Sequence, residues 1–252
     1  MRHLISAICV SILVGCQTLP TRHQTSTSQE SSFPNFTTVT APNEDLFPFV
    51  GSLVREDKTL IGSGILIAPD VVLTAGHVVD AGEAKYFELI SSKASQISDI
   101  VLHPQYKIDG FILNDIALVF LEDDIDIKPI KLIGAGDVCY KGKPLTTIGY
   151  SGGIKKYSRP NIFWYYGRLV AEPQQMKILP LKASVWFGDS GGAVIGLFGN
   201  EWKLVGVISS FSYREGIVYE NSAASVRFYK KWIEEVINEQ GLDRQSTGVG
   251  TE

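Results

Sequence analysis

From Phe47 onward, apolar residues come in short runs broken by Gly, Pro, Asp and Asn. The runs are FVGSLV (49–54), GILIAP (64–69), VVLTAG (71–76), IALVFL (116–121), KLIG (131–134), LTTIGY (145–150), FWYYGRLV (163–170), GAVIGLF (192–198) and KLVGVISS (203–210). They are rich in β-branched residues, of strand length, and bounded by turn formers, so they predict strands. Many are apolar throughout rather than alternating, which fits buried or closed sheets. The fold class that follows is all-β, a barrel or sandwich in one unit or two. A helical period emerges only near the end, in SVRFYKKWIEEVINEQG (225–241). There Val226, Trp232, Ile233, Val236 and Ile237 share one face, and Gly241 marks the expected stop.

The first residues follow another rule. In MRHLISAICVSILVGCQ, Arg2 opens a basic start and Leu4 to Val14 is a mostly apolar run. That run falls within the roughly 7–15 residues of a signal core and short of the roughly 20 that span a bilayer. Residues 1–15 read as a targeting segment. Leu13-Val14-Gly15-Cys16 resembles a bacterial lipoprotein signal, in which cleavage precedes Cys16 and its thiol is acylated. Gln17, in place of aspartate, resembles the pattern sent to the outer membrane in Gram-negative cells. An ordinary cleaved signal with a chance cysteine is the alternative. Residues 16–43 are rich in Ser, Thr, Gln, Asn and Pro and predict a disordered tether.

Composition narrows the classes. The chain has 252 residues, 24 of them Gly and 11 Pro, which suits a globular protein with many turns. Its formal net charge of −4 argues against a nucleic-acid-binding role. No CxxC, HxxxH or HExxH spacing occurs, so neither a metal site nor a cofactor is predicted. With Cys9 removed and Cys16 lipidated, Cys139 is the one cysteine left, expected as a small buried hydrophobe. The mature domain then relies on its core without disulfides.

Three segments carry candidate chemistry, in order: LTAGHVV with His77, NDIALVFL with Asp115, and GDSGG with Ser190. A serine hydroxyl is a weak nucleophile near neutral pH and needs an adjacent base. Histidine, with an ordinary pKa of about 6.5, suits that task. A buried carboxylate on the far ring nitrogen fixes the tautomer. The oxyanion formed on attack needs preorganised donors. A tight Gly-rich turn supplies them from the backbone, here the amides of Gly188 and Ser190.

Together these segments resemble the chymotrypsin/trypsin-fold serine proteases over roughly residues 47–237. The order His, Asp, Ser is that family's, and GSGILIAPDVVLTAGHVV, HPQY (103–106) before NDIAL, VGVISS and YKKWI resemble its other landmarks. The resemblance implies two six-stranded antiparallel β-barrels and a C-terminal α-helix. The N-terminal barrel would span 44–134, the C-terminal barrel with its helix 135–241, and a disordered tail 242–252. It implies His77 as general base, Asp115 as its orienting partner, Ser190 as nucleophile, and the Gly188 and Ser190 amides as the oxyanion hole. Ser209 would support the aspartate. Substrate-binding positions would be Ser184 at the pocket floor, Ser209 and Phe211. Ser184 carries no charge and Phe211 is bulky, so small or medium apolar side chains are expected before the cleaved bond.

In much of that family a new N-terminal ammonium pairs with the carboxylate before the nucleophile, here Asp189. VTAPNED, starting at Val39, resembles the mature start of bacterial glutamyl endopeptidases. Cleavage before Val39 would then both activate and shed the enzyme. The expectation is a monomeric serine endopeptidase of the bacterial cell envelope, held to the membrane by Cys16 and acting on polypeptides. The alternative is a catalytically silent binding lipoprotein on the same scaffold.

Overall fold

A computed structural model of the chain describes residues 39–40, 47–90, 94–109, 112–140, 142–151, 156–157, 161–166, 175–180, 185–215 and 217–247. The chain begins with β1 (Val39–Thr40), β2 (Val50–Val54), β3 (Leu60–Ala68), β4 (Val71–Thr74) and the one-turn helix α1 (Gly76–Val79). Next come β5 (Tyr86–Glu88), β6 (Ser95–Leu102), β7 (Lys107–Ile108), β8 (Ile112–Leu113), β9 (Ala117–Leu121) and β10 (Lys131–Leu132). The second half holds β11 (Pro144–Gly149), β12 (Lys156–Tyr157), β13 (Asn161–Tyr166) and β14 (Gln175–Pro180). It ends with β15 (Ala193–Phe198), β16 (Glu201–Arg214), β17 (Ile217–Ser225) and α2 (Val226–Thr247).

Six strands close the first barrel in the order β2-β3-β4-β9-β6-β5. Its strands β2, β4 and β9 are buried at every position, which is why their sequences are apolar without alternation. In the second half, pairing runs β11–β13–β14–β17–β16–β15 and returns to β11, a second ring of six antiparallel strands. β1 and β12 extend this sheet beyond β11, and β10 adds to β16 in parallel. The all-β expectation, with two barrels and a closing helix, therefore describes the molecule.

Two boundaries differ from expectation. Val39 and Thr40, placed in the tether, pair with Tyr157 and Lys156. Strand pairing needs only main-chain groups, so the polar composition of 16–43 did not reveal it. The helix also runs past Gly241 to Thr247, so part of the expected tail is helical. Gly241 does not take the positive φ of a glycine stop; mid-helix it lowers helix propensity by about 1 kcal/mol without ending the helix. The buried stripe of α2 is Val226, Tyr229, Ile233 and Val236, with Trp232 and Ile237 packed at its edge. Cys139 is half-buried against the core rather than enclosed by it.

Candidate active site

LTAGHVV folds as the end of β4 followed by a single helical turn. Val78 and Val79 are buried in the core, while the turn leaves His77 with 24% of its side chain exposed. Asp115 lies just ahead of β9. The residue before it, Asn114, has φ +48°, a left-handed conformation that asparagine tolerates better than most residues. That kink directs the Asp115 carboxylate back to His77. Its side chain is 2% exposed.

The carboxylate is fully engaged. His77 Nδ1 lies 2.8 Å from Oδ2 and 3.1 Å from Oδ1, and the His77 backbone N–H donates to Oδ1 at 2.9 Å. Ser209 Oγ donates to Oδ2 at 2.5 Å. Ser209 sits where the β16–β17 register shifts between Ile208 and Ser210. A bulge of this kind re-aims one side chain out of the strand alternation. Burial pushes the Asp115 pKa up, but the His77 charge and the His77 and Ser209 hydrogen bonds outweigh it, leaving it below its ordinary 3.8. For His77, burial pulls the pKa down, yet the Asp115 charge and hydrogen bond, with Asp80 behind them, hold it above 6.5.

GDSGG forms two consecutive tight turns. Asp189 N donates to Trp186 O, with Gly188 at φ +95°, the positive φ that a type II turn demands of its third residue. Gly191 (φ +82°) and Gly192 are pressed onto the first barrel and onto β11: a Cβ on Gly191 would lie 2.1 Å from Ser63 O, and one on Gly192 2.3 Å from Ile148 O. The amides of Asp189, Gly191 and Gly192 all donate to backbone carbonyls. Among the described residues, those of Gly188 and Ser190 donate to none. The turn thus spends its other donors and leaves these two.

Residues of β3 join this turn to the first barrel. Ser63 N donates to Ser190 O at 2.7 Å, and Ser63 Oγ donates to Gly188 O at 2.8 Å while accepting from Tyr150 N at 3.0 Å. A Cβ on Gly62 would meet both the Val78 side chain and Ser190 O, so the His77 turn and the Ser190 turn close upon this glycine. The Ser190 hydroxyl is not hydrogen-bonded to the imidazole. Such contacts are often long before substrate binds. Asp189 is held by two main-chain donors, Ser151 N at 2.9 Å and Trp186 N at 2.8 Å.

Phe211 is half-buried and stacks on Trp186, with centroids 5.2 Å apart and planes at 22°. Phe187, 65% exposed, packs edge-on against both. Sequence reasoning anticipated bulk at 211 but not the stack. Ser184 and Cys16 lie outside the described residues. It also missed Ser63, although a serine within an apolar strand is the kind of misfit that signals a buried hydrogen-bonding role.

Residues 37–233 match the family model described as Trypsin. A serine protease of Mycobacterium tuberculosis (strain H37Rv) is 27% identical over 161 residues, covering 61% of this chain and 37% of that protein. The vitamin K-dependent protein C of Mus musculus is 26% identical over 238 residues, 79% of this chain and 51% of that protein. A trypsin of Saccharopolyspora erythraea is 28% identical over 112 residues, 40% and 48% of the two chains. The chain spans between about a third and a half of the length of these curated relatives.

Proposed function

The chain belongs to the trypsin family, and from that premise we propose that it is a serine endopeptidase cleaving polypeptides through Ser190, His77 and Asp115. A substrate segment lies extended in the cleft, where strand-like pairing fixes its backbone. Ser190 Oγ attacks the peptide carbonyl and His77 Nε2 takes its proton. Asp115 holds the Nδ1–H tautomer and stabilises the imidazolium. The Gly188 and Ser190 amides receive the oxyanion. His77 then protonates the leaving amine, and water attacks the acyl-enzyme by the same route in reverse.

The observation that carries this reading is the pairing of a buried, fully engaged Asp115 carboxylate on His77 with a GDSGG turn in which, among the described residues, the amides of Gly188 and Ser190 itself donate to no backbone carbonyl. Phe211 on Trp186 supports a preference for small or medium apolar side chains before the cleaved bond. A peptide-library profile dominated by Arg, Lys or Glu there would contradict it. We further propose that the protein is lipidated at Cys16 and acts in the bacterial envelope, and that a cut ahead of Val39 releases the barrels.

The test is a covalent serine-directed phosphonate, with mass mapping of the labelled residue and of the N-terminus. Label on Ser190, lost together with peptidase activity in Ser190→Ala, is expected. A folded, unlabelled and inactive parent chain would instead make this a silent binding protein. Activity retained in Ser190→Ala would remove the serine from the mechanism.

A further inference from the structure

We propose that Tyr106 and Asp80 are positioning residues for the hydrolysis: together they strap the single helical turn that carries His77. The proposal rests on the endopeptidase reading above, and its test is built to fail separately from it.

The turn needs such a strap. α1 is four residues long and closes through Asp80 N to Gly76 O at 3.0 Å and Val78 N to Ala75 O at 3.2 Å. Its N-cap residue, Ala75, offers no side-chain bond. One turn alone has little stability, because helix nucleation is unfavourable. Its geometry must come from outside.

Tyr106 spans both ends of it. The ring lies across Gly76, so close that a Cβ there would sit 2.8 Å from Cδ2. The hydroxyl donates to Asp80 Oδ2 at 2.8 Å. His77 lies between those two contacts. A side chain at 76 would push the ring away, which explains the glycine in LTAGHVV better than backbone freedom does: Gly76 is not among the positive-φ glycines.

The segment holding Tyr106 also holds Asp115. Tyr106 N donates to His103 O at 2.8 Å, and His103 N donates to Ile116 O at 3.1 Å. Asn114 Nδ2 donates to Gln105 O at 2.9 Å, and Tyr229 of α2 donates to Asn114 Oδ1 at 3.1 Å. Asn114 and Ile116 flank Asp115. The His103 ring is packed between Tyr229 and Trp232. HPQY is therefore a bracket with one arm on the His77 turn and the other on the Asp115 loop, backed by the C-terminal helix.

The strap also has an electrostatic arm. Two carboxylates act on His77, Asp115 directly and Asp80 from the far end of the turn. Tyr106, whose hydroxyl faces Asp80, stays neutral: burial and that hydrogen bond push its pKa well above the ordinary 10. Ser209 and Ser190 face the site without charge.

The experiment uses the full chain carrying Tyr106→Phe, which keeps the ring and removes the bond, and Asp80→Asn, which keeps an acceptor and removes the charge. Each is made in the active chain and in Ser190→Ala. In Ser190→Ala the His77 ring is titrated by NMR, a reading that needs no catalysis. Asp80→Asn is expected to lower the His77 midpoint, since it removes an anion that favours the imidazolium. The acid limb of kcat/KM in the active chain should move to lower pH with it. Tyr106→Phe is expected to lower kcat roughly 10-fold with KM little changed, as misplacement of a reacting group does, and to speed exchange of the His77 Nδ1 proton. Melting curves identify any unfolded variant, and Tyr106→Phe is conservative enough to keep the ring packing. An unmoved His77 titration and Nδ1 exchange rate in both variants would overturn the strap, whatever the enzyme does. A moved titration in a chain without peptidase activity would keep the strap and remove the endopeptidase.

Discussion

Replacing Asp115 with asparagine changes one oxygen for one amide, and the structure dictates which way the new group sits. Asp115 Oδ1 accepts from the His77 backbone N–H at 2.9 Å. A backbone amide can only donate, so the asparagine oxygen takes that side. The NH₂ then occupies the Oδ2 position, 2.8 Å from His77 Nδ1 and 2.5 Å from Ser209 Oγ. The hydroxyl can turn and accept, so packing survives. Nδ1 has no such freedom: facing a donor it must become the acceptor, and the ring proton moves to Nε2. An Nε2 that carries the proton cannot take one from Ser190. Loss of the correct tautomer in a triad lowers kcat about 10⁴-fold, equivalent to about 5.5 kcal/mol of barrier. The His77 pKa should also fall below 6.5, because burial, the largest influence on it, then acts with only Asp80 opposing. The assay is kcat/KM on a chromogenic apolar peptide across pH 6–10, beside NMR detection of the Nδ1 proton. A folded Asp115→Asn chain within tenfold of the parent, or one keeping its Nδ1 proton, would refute the tautomer reasoning.

Gly188→Ala introduces a Cβ at φ +95°, 2.9 Å from the Tyr150 carbonyl oxygen. The turn must rotate its 187–188 peptide, which withdraws one amide from the oxyanion position and should lower kcat by about 10²–10³-fold; a loss under tenfold in burst kinetics would exclude that amide. Stability should depend on pH in two limbs. Asp115 has a lowered pKa in the folded chain, so its contribution is present above 3.8 and is lost as pH falls through the folded value. His77 has a raised one, so its contribution is complete below 6.5 and is lost as pH rises through the folded value. Urea unfolding from pH 3 to 9 should show the pair's contribution greatest between those limits. Asp115→Asn should remove the carboxylate limb and reverse the His77 limb, whose folded pKa then lies below 6.5, so that its contribution is lost as pH falls rather than as it rises.

The sequence made some parts legible and hid others for physical reasons. Strands showed because burial on both faces writes continuous apolar runs, as in β2, β4 and β9. The glycines of GDSGG marked a constrained turn, though the reasons differ among them: Gly188 for its φ, Gly192 for the nearness of Ile148. The stop assigned to Gly241 failed because a helix tolerates one glycine when nothing pulls the backbone left-handed. Main-chain partners leave no imprint on residue identity. Two donors to Asp189 are the backbone amides of Ser151 and Trp186, and β1 pairs main chain to main chain from within a stretch whose composition reads as tether. Ser209 reaches Asp115 only through a bulge, which no two-residue alternation announces. Trp186 and Phe211 meet from segments 25 positions apart, set face to face by barrel closure.

Asp189 has a consequence of its own. Its carboxylate, buried beside the nucleophile, already accepts from the peptide N–H groups of Ser151 and Trp186. A proenzyme whose acid waits for a liberated amine stores its latency in that vacancy. Here two bonds to that acid come from the main chain itself, so an arriving amine would have to compete with Ser151 and Trp186 for the carboxylate.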